Sequence, residues 1–155
     1  MIPTPRIPTP RLSATLVAVA LAALPALPVM AEGELHRVAI HVDESDPQVM
    51  NMALNNVANL TRHYEALGDE VMVELVTYGP GLLMLMAGES PVEDRISAMS
   101  LEYENLSFAA CGNTHRAMSD RAGKEIPLVD EAKMVPSGVV RLIELQEEGY
   151  AYIRP

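Results

Sequence analysis

A doubly wound α/β domain on five parallel strands is predicted by three features of this 155-residue chain. Short β-branched or apolar runs alternate with longer segments whose apolar residues recur at helical spacing. Turn residues punctuate the alternation at Gly68, Gly79-Pro80-Gly81, Gly123 and Gly149. Strands separated by helices run parallel and are joined by right-handed crossovers.

Taken in order, Val38 to Val42 reads as the first strand. Asp46-Pro47 supplies a cap and a first-turn proline. The helix that follows runs to Leu67, with Val49, Ala53, Val57, Leu60, Tyr64 and Leu67 on its apolar face, and Gly68 stops it. Val71 to Tyr78 is the second strand, and Leu82 to Ala87 a short, wholly apolar helix. Ser90-Pro91-Val92-Glu93 has the pattern of a capping box for a helix ending near Ser100. Leu106 to Ala110 is the third strand, with Cys111 at its end, and Gly112-Asn113-Thr114 opens the next helix. Ala132 to Val135 is a brief fourth strand. Pro136-Ser137 starts the last helix, whose Val139, Val140, Leu142, Ile143 and Leu145 are expected inward. Tyr150 to Ile153 is the fifth strand. The expected sheet order is 2-1-3-4-5, a flavodoxin-like three-layer arrangement.

Residues 1–31 read as a secretory signal peptide. Arg6 and Arg11 precede an apolar run from Leu12 to Leu24, Pro25 and Pro28 break it, and Val29-Met30-Ala31 fits a cleavage site. The apolar run is shorter than the ~20 residues of a membrane span. Cleavage leaves 32–155 as the mature domain, starting at Glu32, periplasmic or secreted and free of the membrane. All 21 acids but only nine of the 11 basic residues fall after position 31, so the domain carries a net charge of −12. A surface of that sign repels phosphate backbones, which argues against a nucleic-acid partner. With no Trp and one Phe, the core has to be aliphatic and methionine-rich, and Met72, Met84, Met86 and Met99 are assigned to it.

Cys111 is the sharpest chemical feature and the sole cysteine, so no internal disulfide forms. A strand end leading into a helix start puts its sulfur beside free backbone N–H groups and the positive end of a helix dipole, which favour the thiolate. Its position equally suits a buried apolar filler. Open α/β sheets bind ligands beyond the carboxyl ends of their strands. Tyr78, Gly79, Gly112, Asn113 and Thr114 therefore form the candidate ligand-binding set, with His115 and Asp43 as candidates for proton transfer. Gly79-Pro80-Gly81 has neither the lysine of a phosphate loop nor a dinucleotide fingerprint and reads as a tight turn. His36, His41, His63 and His115 lack ligand spacing, so neither a metal nor a cofactor is expected. His41 is assigned to a half-buried strand position, and Asn51, Asn55 and Asn59 to the polar face of the first helix.

Four spaced segments carry a resemblance. Ala53-Leu54-Asn55-Asn56, Tyr78-Gly79-Pro80-Gly81, Phe108 to Thr114 and Pro136 to Val140 stand in an order that resembles the DsrE/DsrF-like family, and Glu144 to Tyr150 looks similar too. The resemblance covers nearly the whole mature chain. It implies a flavodoxin-like fold, assembly into trimers or hexamers, and a cysteine beyond a central strand that holds a persulfide, the place Cys111 occupies. Such a protein is a sulfur carrier or thiol-dependent sulfurtransferase with a sulfur donor or acceptor protein as partner. The alternative is a non-catalytic oligomeric module in which Cys111 only lines a small-ligand site. Leu82 to Ala87, having no polar face, is expected at a subunit contact.

Overall fold

A computed structural model describes residues 33–155; the predicted signal peptide lies outside the described residues. Ten elements follow in order. They are β1 (Leu35–Val42), α1 (Pro47–Leu67), β2 (Glu70–Thr77), a 3₁₀ turn (Gly79–Leu85), α2 (Glu93–Glu102), β3 (Leu106–Cys111), α3 (Gly112–Ala122), β4 (Ala132–Val135), α4 (Gly138–Glu147) and β5 (Ala151–Ile153). Every strand pairing is parallel. Helices lie on both faces of the sheet, so the three-layer, flavodoxin-like α/β architecture holds.

The strand order is 4-3-2-1-5 rather than the expected 2-1-3-4-5. β2 sits between β1 and β3, and β5 takes the free edge of β1, pairing Val38 with Ala151 and Ile40 with Ile153. The chain therefore steps one strand at a time from β1 to β4. Right-handed crossovers put α1, α2 and α3 on one face. To reach the far side of β1 the chain returns across the opposite face, and α4 is that return.

The packing follows. Met50, Ala53, Leu54 and Val57 of α1, Leu82, Met84 and Leu85 of the 3₁₀ turn, and Ile96 and Met99 of α2 close over Val38, Ile40, Val73, Leu75, Phe108 and Ala110. The opposite face is thinner: Ala39, Val76 and Ala109 pack under Leu142 and Leu145 of α4, with Tyr78, Val135 and Tyr150 at the margin.

Local signals set most boundaries. The Asp46 carboxylate accepts from the Gln48 N–H at 2.7 Å, and Gly68 closes α1 at φ 80°, a left-handed conformation that disfavours a side chain. Five expectations about packing and capping fail. The Leu82–Ala87 run is core rather than contact: Leu82, Met84 and Leu85 have no exposure, because the turn folds under the α-helical layer. The capping box does not form. Ser90 donates to the Met84 carbonyl and accepts from the Val92 N–H, α2 starts at Glu93, and the Glu93 carboxylate takes the Gly88 N–H instead. The apolar stripe of α1 is rotated, burying Met50 and Leu54 and leaving Leu67 64% exposed. On α4 only Gly138, Leu142 and Leu145 are buried, while Val139, Val140 and Ile143 are about half exposed. A single helix crossing a sheet can press one stripe against it, and α4 has no helix beyond it among the described residues. Met72 lies on this same open face, 43% exposed, instead of in the core.

Candidate functional site

The strand order has a chemical consequence. β3 is followed by a helix on one face and β4 by a helix on the other, so the chain diverges between their carboxyl ends. That divergence is the switch point where open α/β sheets take ligands. Cys111 stands on its β3 side, paired with Val135 of β4. It is 4% exposed and occupies the capping position of α3. Sulfur is a weak acceptor, and as a thiol Cys111 makes no cap hydrogen bond. As a thiolate it is stabilised from two helices: the Thr114 hydroxyl and the amides of Asn113 and Thr114 at the start of α3, and the Gly138 amide at the start of α4. Burial pushes the thiol pKa up, and is the largest single influence. The hydroxyl and the three amides together outweigh it, so the pKa falls below the ordinary thiol value.

The surroundings fix this arrangement. Thr114 Oγ1 accepts the Gly79 N–H at 3.0 Å, which leaves its proton free for the sulfur. The Asn113 N–H also reaches the Pro136 carbonyl at 3.3 Å and so ties the two helix starts together. α4 is anchored by Arg141, whose Nε and Nη2 donate to the two carboxylate oxygens of Glu74 on β2 at 2.7 and 2.8 Å. Gly138 has to be glycine: a Cβ there would stand 2.9 Å from Tyr78 Cδ1 and 3.2 Å from Cys111 Cβ.

Two recesses are lined by neighbours of the cysteine, and Cys111 itself lines neither. A cleft of about 430 Å³ lies outside the sheet edge between Gly79, Pro80, Asn113, Thr114 and Arg121. A groove of about 460 Å³ runs under α4, over Ala109 and Val135, with Lys133 and Arg141 at its sides and Pro136-Ser137 at its head.

Of the sequence-predicted residues, Tyr78, Gly79, Gly112, Asn113 and Thr114 all gather at Cys111. His115 does not: its Nε2 is 2.7 Å from the Ile126 carbonyl, in a separate recess with Glu125 and Met134. Asp43 closes the end of β1 and is bound to Arg154 at 3.0 Å. Burial lowers the pKa of His41, which is 3% exposed, not half-buried as expected. Its ring stacks on Tyr78 with centroids 4.4 Å apart, its Nδ1 is 2.8 Å from the Tyr152 hydroxyl, and its Nε2 is buried without a partner. Gly138, His41 and Tyr152 are the site's neighbours that sequence reasoning missed. Asn51 and Asn55 are structural, both accepting from Arg95 of α2. Among the described residues there is no cluster of three or more His, Cys, Asp or Glu side chains able to hold a metal ion. No helix among them is long and apolar enough to cross a membrane.

Fold and site together define a parallel α/β domain with a lone, thiolate-stabilised cysteine at its topological switch point. No family model and no curated protein matches the chain. Among solved structures it is similar to MTH1491 of Methanobacterium thermoautotrophicum, a protein of unknown function. The two are 33% identical over 77% of this chain and 99% of that one, with a TM-score of 0.66. The chain belongs to the same family as MTH1491.

Proposed function

We propose that this protein is an exported sulfur carrier of the DsrE/DsrF-like type, with Cys111 as the carrying thiol. The observation that supports the reading best is the convergence of two helix N-termini on one buried sulfur, which favours its anion. The Cys111 thiolate attacks the outer sulfur of a donor persulfide. A new Sγ–S bond forms, the donor S–S bond breaks, and the donor thiolate leaves with the electron pair, so no external oxidant is consumed. A second exchange of the same kind passes the sulfur to an acceptor thiolate.

The test is intact mass after exposure to a low-molecular-weight persulfide donor, together with the alkylation rate of Cys111 against pH. The expected outcome is one added sulfur, absent in Cys111→Ser, and alkylation that reaches half its plateau below the pH of a free thiol. No retained sulfur and the pH profile of a model thiol would favour the rival reading, a small-ligand-binding module in which Cys111 is only lining. The same mass spectrum of protein recovered from its native host reads the location: a chain starting at Glu32 fits export, and an intact Met1 refutes it.

The carrier is further proposed to be a homo-oligomer, a trimer or hexamer. Support comes from α4, where Val139, Val140 and Ile143 stand about half exposed in one copy. Sedimentation is expected to give a multiple of the subunit mass that falls to the monomer in Val140→Glu/Ile143→Glu. A monomer at all concentrations would reject it.

A further inference from the structure

A buried thiol cannot meet a sulfur donor without a local opening, and the neighbours of Cys111 differ in how they can move. Its backbone partners cannot move singly: β4 is paired to it, α3 begins at it, and α4 is tied down by the Arg141–Glu74 pair and by Leu142 and Leu145. Tyr78 is different. It is the first residue after β2, it is partly exposed, and its Cδ1 and Cβ lie 2.9 and 3.1 Å from the point beside the Gly138 α-carbon that is also 3.2 Å from the Cβ of Cys111. The same ring lies on His41 in a stack tilted by 29°. His41 is itself held by Tyr152, at the carboxyl end of the chain, and its other nitrogen is buried without a partner. The contact between the two rings is therefore apolar and π-type, and it can part without breaking a hydrogen bond.

We propose that Tyr78 is a gate over Cys111, latched shut by stacking on His41. Swinging the ring off His41 opens a path to the sulfur from the sheet edge and leaves the amides of α3 and α4 in place. The opened state thus keeps its thiolate-stabilising groups, and access is controlled separately from acidity. The gate rests on the proposed thiol chemistry for its purpose but not for its detection, because alkylation reads it with no sulfur donor present.

The experiment measures the second-order rate of iodoacetamide with Cys111 in the full-length mature chain. A closed gate whose open form is a minor state, populated at about 0.1–10%, predicts a rate at least about tenfold higher in Tyr78→Ala. Tyr78→Phe should match the wild type, since the ring and not the hydroxyl closes the site. His41→Ala should raise the rate about three- to tenfold, the worth of one aromatic contact, and His41→Phe should restore it. In every variant the pH at half-plateau should stay where the wild type has it. In the wild type the rate should be flat in urea below the unfolding transition, as local opening requires. A wild-type rate that climbs with urea in step with global unfolding would overturn the gate, and so would a folded Tyr78→Ala that alkylates no faster. Should Tyr78→Ala fail to fold, the His41 pair and the urea dependence still decide. Persulfide retention with no gate effect would leave the carrier standing without it, and the reverse result would leave a gated thiol with another use.

Discussion

Gly138→Ala is expected to cut the thiolate fraction of Cys111 at neutral pH by about tenfold. At an exposed helix start the same change stabilises a protein modestly, because alanine restricts the unfolded chain. Here the new Cβ would lie 2.9 Å from Cδ1 and 3.1 Å from Cβ of Tyr78, and 3.2 Å from Cβ of Cys111. Rotating the Tyr78 ring relieves the first contact only, since the other two atoms sit close to rigid strand ends. The start of α4 has to withdraw, and it takes with it the amide that faces the sulfur. A hydrogen bond to a charged group contributes about 1.5–3 kcal/mol, and about 1.4 kcal/mol is a factor of ten in the thiolate population. Ultraviolet titration of the thiolate checks this directly. The wild type should ionise below the pH of an ordinary thiol and the variant closer to it. An unchanged titration would mean that α4 plays no part in stabilising the anion.

Phe108→Ala is expected to cost about 3–5 kcal/mol of stability, much of what a domain of this size has in hand. Phe108 is the single phenylalanine in a chain without tryptophan, and it is 1% exposed. It lies in β3, the strand that ends in Cys111, and its ring belongs to the core under α1, α2 and the 3₁₀ turn. The surrounding strands pair on both edges and have little freedom to collapse into the space. Urea denaturation measures the loss, which corresponds to a melting temperature lower by roughly 10–20 °C. Phe108→Leu should recover most of it. A loss below about 1 kcal/mol in Phe108→Ala would show that the site repacks.

Much of the candidate site was legible because it is local. Cys111, Gly112, Asn113 and Thr114 are consecutive, and a strand that ends where a helix begins turns the early amides toward the residue between them whatever the rest of the chain does. Tyr78 and Gly79 were legible for a related reason, since a parallel sheet brings the carboxyl ends of all its strands to one edge. His115 failed because its ring, about one helical turn past Cys111, is held at the Ile126 carbonyl instead of the sulfur. His41, Tyr152 and Gly138 come from the first strand, the last strand and the last helix, and no spacing along the chain relates them.

The sequence by itself determined the class of the fold, the succession of elements, the stop at Gly68 and the strand end that carries the cysteine. Each of these follows from interactions between residues a few positions apart: helical or strand periodicity, a capping carboxylate, a glycine that accepts positive φ. Only the tertiary structure decided which strands are neighbours. Hydrogen-bonding edges of parallel strands are alike, so local patterns do not say that β5 pairs with β1 and β3 with β2. That choice sends α4 back across the open face, leaves Val139, Val140 and Ile143 outward, and brings a second helix start to Cys111. A thiol at one helix terminus is what the chain encodes locally; a thiol between two exists only once the sheet has ordered its strands.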